Sequence, residues 1–162
     1  MKVIINSSSD RQKTTGAGFA LIELMAIIVT IAAPSFSIKL ANQRVKSTAV
    51  NIQSTLKEAK AESIIRRQDV TVIDNLSLNT IALTGRNNTL IATYSVKSQS
   101  IVSQAISPSS VTQVVFQLNK LISGASTEVV YTICDDSSDS ETPKQVVVNK
   151  IANISIINAG SC

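Results

Sequence analysis

Histidine and tryptophan are absent from this chain of 162 residues, aromatic residues make up 3% of it, and it has two cysteines, five glycines and three prolines. Each shortage excludes something. Without His, no side chain titrates near neutral pH at its ordinary pKa, and no imidazole is present to bind a transition metal. Cys134 and Cys162 are not at metal-ligand spacing. No serine-nucleophile signature, glycine-rich phosphate loop or carboxylate pair in a recognisable setting occurs, so the expectation is a protein without catalytic residues, metal or cofactor. With few aromatics the core must rest on Val, Ile and Leu, a composition that leans towards strands. Long apolar runs are also missing. The longest, Phe19 to Ala33, has 15 residues, about 22 Å of helix where a bilayer core asks for about 30 Å.

The length allows one anchor and one domain of ordinary size. Net charge is +4, and its distribution says more than its sum. Between Lys39 and Arg67 seven basic residues (Lys39, Arg44, Lys46, Lys57, Lys60, Arg66, Arg67) face Glu58 and Glu62, whereas from Asp69 onward five basic residues face seven acids. The chain therefore reads as a basic stem carrying a mildly acidic head, not as a basic nucleic-acid-binding domain.

Inside the apolar run sits one carboxylate, in the string Gly18-Phe19-Ala20-Leu21-Ile22-Glu23-Leu24-Met25. An ionised group there opposes membrane insertion by roughly 2.5 to 3.5 kcal/mol, and such residues usually mark function. The string resembles the class III signal of type IV prepilins and type II secretion pseudopilins, with Ala20 where Thr is usual. The resemblance implies that a prepilin peptidase cuts between Gly18 and Phe19 and methylates the new amine, and that Glu23 assists subunit docking. The carboxylate could pair there with the amine of a neighbouring Phe19 and recover part of its desolvation cost. Residues 1–18 then form a polar cytoplasmic leader, removed to leave 144 residues. Two departures from the family stand out. Thr14 to Ala17 separate Lys13 from the glycine, and Pro34 lies about six residues early, as though two turns of the anchor were missing.

Residues 19–38 are expected to form the membrane and filament-core helix, kinked at Pro34, with Lys39 snorkelling to the interface. Residues 35–68 follow as an amphipathic stem whose apolar stripe is Leu40, Val45, Ala49, Ile52, Leu56, Ala59 and Ile64. Pro34-Ser35-Phe36-Ser37, Asn42-Gln43-Arg44-Val45, and the passage from Ala59 through the basic, Gln-containing turn Arg66-Arg67-Gln68 into Val70-Thr71-Val72 are similar to the GspH/FimT group of minor pilins and pseudopilins.

The remaining residues, 69–162, read as an antiparallel β-rich head, which makes the fold class α+β. Strands are expected over Val70–Asp74, Thr80–Thr84, Thr89–Val96, Ser100–Ile106, Val111–Leu118, Glu128–Cys134 and Gln145–Ile157. Turns are expected at Gly85–Asn88 and Ser123–Ser126, and an acidic Ser-rich loop over Asp135–Pro143. Asp135, Asp136, Asp139 and Glu141 supply oxygen ligands, but their spacing misses the EF-hand pattern and no glycine makes its sharp turn.

Both cysteines lie in the region that the anchor would place outside the cytoplasm, where a disulfide is permitted; free thiols are the other reading. In the GspH/FimT group a C-terminal cysteine pair closes the last sheet, which implies Cys134–Cys162. Some FimT-like members carry a Gly-Arg-x-Arg stretch associated with DNA binding; here Asn149-Lys150-Ile151-Ala152 keeps a single basic residue, Lys150, and nucleic acid is a minor expectation. The resemblance implies an inner-membrane, single-pass protein with a periplasmic head, which then joins a pilus or pseudopilus. Its partners would be the prepilin peptidase, other major and minor pilins or pseudopilins, inner-membrane lipid and the assembly platform. Its role would be pilus assembly or initiation, serving twitching motility, adhesion or DNA uptake, or else the pseudopilus of type II secretion.

Overall fold

The computed structural model describes residues 14–107, 109, 113–118, 122–123 and 128–162, with side-chain environments from residue 36 onward except at residues 76, 122 and 123. One helix, α1 (Thr14–Ile65), precedes nine strands: β1 (Val70–Asn75), β2 (Thr80–Thr84), β3 (Leu90–Ser95), β4 (Ser100–Ile106), β5 (Val114–Phe116), β6 (Ile122–Ser123), β7 (Glu128–Asp135), β8 (Lys144–Asn149) and β9 (Ile154–Asn158). The chain divides into two compact units, Met1–Ser37 and Ile38–Cys162. The second, the head, is described below; of the first, only the path of α1 is used.

The head is built on two antiparallel sheets, one of five strands in the order β3-β2-β1-β5-β6 and one of four in the order β4-β7-β8-β9. The part of α1 within the head buries Ala41, Val45, Ala49, Ile52, Leu56 and Ala59. Steps of three and four keep these residues on one helix face, and the alanines let the backbone approach the sheets closely. The expected stripe is corrected at both ends. Leu40 and Ile64 are 42% and 41% exposed, and Ala41 takes the buried place. A five-residue step from Leu40 to Val45 does not match 3.6 residues per turn, whereas the four-residue step from Ala41 does.

Alternate strand residues meet that face. Val70 and Val72, Ile81 and Leu83, Val114 and Phe116, Val129, Tyr131 and Ile133, and Val146 and Val148 form one core with the helix. Tyr131 and Phe116 are the largest fully buried side chains, so two of the few aromatics sit at the centre.

Helix α1 ends in a Schellman arrangement. The Gln68 N–H donates to Ser63 O at 3.3 Å, and Arg67 carries the left-handed φ of 50° that glycine usually supplies. Gly85–Asn88 is the turn expected, with Asn87 and Asn88 at φ 58° and 56°; asparagine tolerates this region through local hydrogen bonding.

Two strand expectations and one turn change. The last strand, Gln145–Ile157, is two strands joined by a tight turn, because Asn149 and Asn153 close a hairpin. Asn149 N–H donates to Asn153 O at 3.1 Å, and Asn153 N–H to Asn149 Oδ1 at 2.8 Å. Ala152 in the left-handed region (φ 56°) completes the reversal. Ser123 belongs to β6, whose pairing with β5 (Val115↔Ser123, Phe116↔Ile122) was not legible in two residues; residues 124–126 of the expected turn lie outside the described residues. The strand expected over Val111–Leu118 is confined to β5, and residues 111–112 also lie outside the description.

Candidate functional site

The processing motif lies on α1. Gly18, Phe19 and Glu23 fall within its Thr14–Ile65 span, so the helix begins before Gly18 and includes the last residues of the expected leader. Positions 19 and 23 are one helical turn apart. The helix runs uninterrupted through Pro34, and no second helix starts there. Residues 1–13 of the leader lie outside the described residues. Among the described residues no helix is long and apolar enough to cross a membrane, in keeping with the shortness of the run read from the sequence.

Where α1 enters the head, the acidic loop holds it. Arg44 Nη1 lies 3.1 and 3.3 Å from the two carboxylate oxygens of Asp135, whose side chain is fully buried. Asn42 Oδ1 accepts the Thr142 N–H at 2.8 Å, and Glu141 Oε1 accepts the Asp135 N–H at 3.1 Å. Cys134, next to Asp135, forms a disulfide with Cys162, with Cα atoms 6.1 Å apart. The C-terminus, the loop after β7 and the start of the stem are thus tied together.

The four acids considered as calcium ligands diverge. Asp135 turns inward to Arg44, Asp136 and Asp139 face solvent, and among the described residues no group of three potential ligands converges.

The basic residue singled out near the C-terminus, Lys150, is exposed in the β8–β9 turn. Sequence order hid its companion. Lys60 of α1 donates from Nζ to Ala152 O at 2.7 Å, and Gln53 Nε2 to Ile154 O at 3.4 Å, so this helix flank carries its lysines beside Lys150. A four-residue reading around Lys150 could not show this, because 92 residues separate Lys60 from Ala152.

A buried polar cluster joins the two sheets and was missed altogether. Tyr131 Oη donates to Asp74 Oδ2 at 3.1 Å, and Gln104 Nε2 contacts Tyr131 Oη at 2.9 Å and also Asp74 Oδ2. Burial pushes the Asp74 carboxyl up to about 6, against the lowering effect of the Tyr131 hydrogen bond. Burial first, and then the Asp74 charge, push the Tyr131 phenol well above its ordinary value. Asp74 Oδ1 is buried without a hydrogen-bond partner. Asp74 reads in sequence as the polar end of a strand, and its partners come from β4 and β7.

No protein-family model and no curated protein matches the chain. Solved structures do. The type IV minor pilin FimU of Pseudomonas aeruginosa aligns with a TM-score of 0.59 at 14% identity, over 74% of this chain and 96% of that one. The minor pseudopilin EpsH from the type 2 secretion system of Vibrio cholerae aligns with a TM-score of 0.58 at 11% identity, over 73% of this chain and 99% of that one. At these identities the likeness concerns the backbone, and the chain has the α+β fold seen in minor pilins and minor pseudopilins of the GspH/FimT type.

Proposed function

We propose that this chain is a minor subunit of a type IV pilus, cleaved between Gly18 and Phe19, N-methylated on Phe19 and incorporated through α1 with Glu23 as the docking carboxylate. The observation that carries this reading is the combination of Gly18-Phe19-Ala20-Leu21-Ile22-Glu23-Leu24 on α1 with a head whose backbone matches a minor pilin. A carboxylate in an apolar helix is costly alone and tolerable against a neighbouring amine, which gives Glu23 a role in assembly. The shared work of such a subunit is structural: an inner-membrane anchor, a periplasmic head, and contacts with other pilins at the start of a filament.

Glu23→Ala tests the role directly. Cleavage should proceed, while the amount of subunit recovered in sheared filaments should fall. Normal incorporation of the variant would remove Glu23 from the assembly reaction.

The match to EpsH favours a second reading, a minor pseudopilin of a type II secretion system. Deleting the chain separates the two: loss of surface filaments or twitching supports the pilus, and retention of an exported enzyme in the periplasm supports the pseudopilus.

A further inference from the structure

Two sets of charges in the head, one acidic and one basic, stand apart from its ion pairs. Among the described residues two ion pairs form, Arg44–Asp135 and Arg66–Glu62. Asp136 and Asp139 belong to neither, and both are exposed on the loop that follows β7. Lys57, Lys60 and Lys150 are likewise outside any ion pair. Lys57 and Lys150 are exposed, and Lys60 donates to the Ala152 carbonyl.

These lysines share one side of the head. At 3.6 residues per turn, Gln53, Lys57 and Lys60 fall within a sector of about 60° on α1. The Gln53–Ile154 and Lys60–Ala152 hydrogen bonds show that this sector faces the β8–β9 hairpin. From Lys144 to the C-terminus the chain has no acidic residue. The helix acids point elsewhere: Tyr94 is pushed up to about 12 by burial, with the hydrogen bond and charge of Glu58 and the charge of Glu62 adding to it, which places both acids beside β3. Glu128, the cross-strand partner of Asn149, is the one carboxylate at this end of the adjoining strand. Ile151, 67% exposed and next to Lys150 in the chain, adds an apolar side chain to this hairpin.

The acidic loop cannot neutralise these lysines within its own chain. It is fixed at one end by Asp135 on Arg44 and at the other by Thr142 on Asn42 and by Ala159 N–H on Pro143 O. Asn42 and Lys60 are 18 residues apart on one helix, a separation of about 27 Å along its axis. A contact between the two charge sets therefore has to be intermolecular.

We infer that the loop of one copy, through Asp136 and Asp139, docks on the Lys57–Lys60–Lys150 side of a second copy of this chain, with Ile151 covered in the contact. The two surfaces differ, so the contact is heterologous: each docked copy presents a free loop at one end and a free lysine side at the other. Exposed ion pairs are individually weak, which makes this a contact of crowded, side-by-side chains and not of dilute ones. Three lysines neutralise few phosphates, so they suit an acidic protein loop better than a nucleic acid. The inference goes beyond the assembly reading and needs no cleavage at Gly18.

The test uses the full chain in detergent, with light and isotopically heavy copies mixed at low salt and joined by a zero-length carbodiimide. Mass spectrometry should find mixed-isotope links from Asp136 or Asp139 to Lys57 or Lys150, lost at high salt. Lys57→Glu should lower the yield of links at Lys150, and Asp136→Lys that of links at Asp139, each about tenfold, because like charges are brought together while the reacting groups stay in place. Mixing the two variants should restore links between them, from the unaltered loop of the first to the lysines of the second and also between the two reversed surfaces, which are again of opposite charge, and this shows that both variants are folded. Absence of these links in the wild type overturns the proposal. So does a yield indifferent to either reversal, failure of the mixture to restore them, or capture of a duplex oligonucleotide by the lysines with no loop link.

Discussion

Single residues carry costs in this fold that can be measured one at a time. Arg67 occupies a left-handed position at the end of α1, where a β-carbon costs roughly 1 to 2 kcal/mol. Arg67→Gly is expected to raise the unfolding free energy by about 1 kcal/mol, part of the relief being offset by glycine's greater freedom in the unfolded chain; urea titration of the full chain reads it. Asp74 gives a pH dependence of known sign. Its folded pKa of about 6 lies above the ordinary 3.8, so between those values the folded state binds more protons than the unfolded one. Its contribution is most favourable below pH 4 and is lost as pH rises through 6, a change of up to about 2 kcal/mol once partial exposure is allowed for. Asp74→Asn should flatten that decline relative to the wild type. An identical pH profile in the two proteins would mean that Asp74 titrates normally. None of this was visible in the sequence, because a carboxylate at a strand end is ordinary until β4 and β7 bring Gln104 and Tyr131 against it.

At the scale of elements, the amphipathic half of α1 and most strands were legible because their periods, 3.6 and 2, are written locally. The misses have local physical causes. Leu40 and Ile64 were placed in the stripe on hydrophobicity where phase excludes them, and the β8–β9 turn was concealed by the apolar Ile151 and Ala152 between its two asparagines. The junction of stem, loop and C-terminus was half legible: the disulfide followed from two cysteines and a family resemblance, but Arg44–Asp135 spans 91 residues and leaves no sequence pattern. Two substitutions probe it. Cys162→Ser should lower stability by about 3 kcal/mol in the chain-entropy account. Arg44→Ala leaves Asp135 buried and unpaired, and should cost roughly 3 to 5 kcal/mol. In hydrogen exchange both should show faster opening of the stem near Asn42 before the β1–β2 hairpin is affected. Simultaneous loss of protection throughout the head would show that the junction is not a separable unit.

At the scale of the whole molecule, the N-terminal motif resembles a prepilin signal, and the head has the fold of a minor pilin and a minor pseudopilin. The motif is a run of residues on α1, legible without coordinates; the head's likeness lies in the backbone path of two sheets against a helix, at an identity of 14% to a minor pilin. Hydrophobic cores accept many combinations of Val, Ile and Leu, so one backbone path can be reached by sequences with little in common. The charge layout adds what neither likeness contained: lysines from α1 and from the β8–β9 turn meet on one side, away from an acidic loop held at the stem.

The account rests on processing of the N-terminal motif, and the most direct measurement is the N-terminal sequence of the protein extracted from membranes of cells carrying a prepilin peptidase. It should begin at an N-methylated Phe19, with residues 1–18 absent. An intact Met1, or a terminus at any other position, would contradict it.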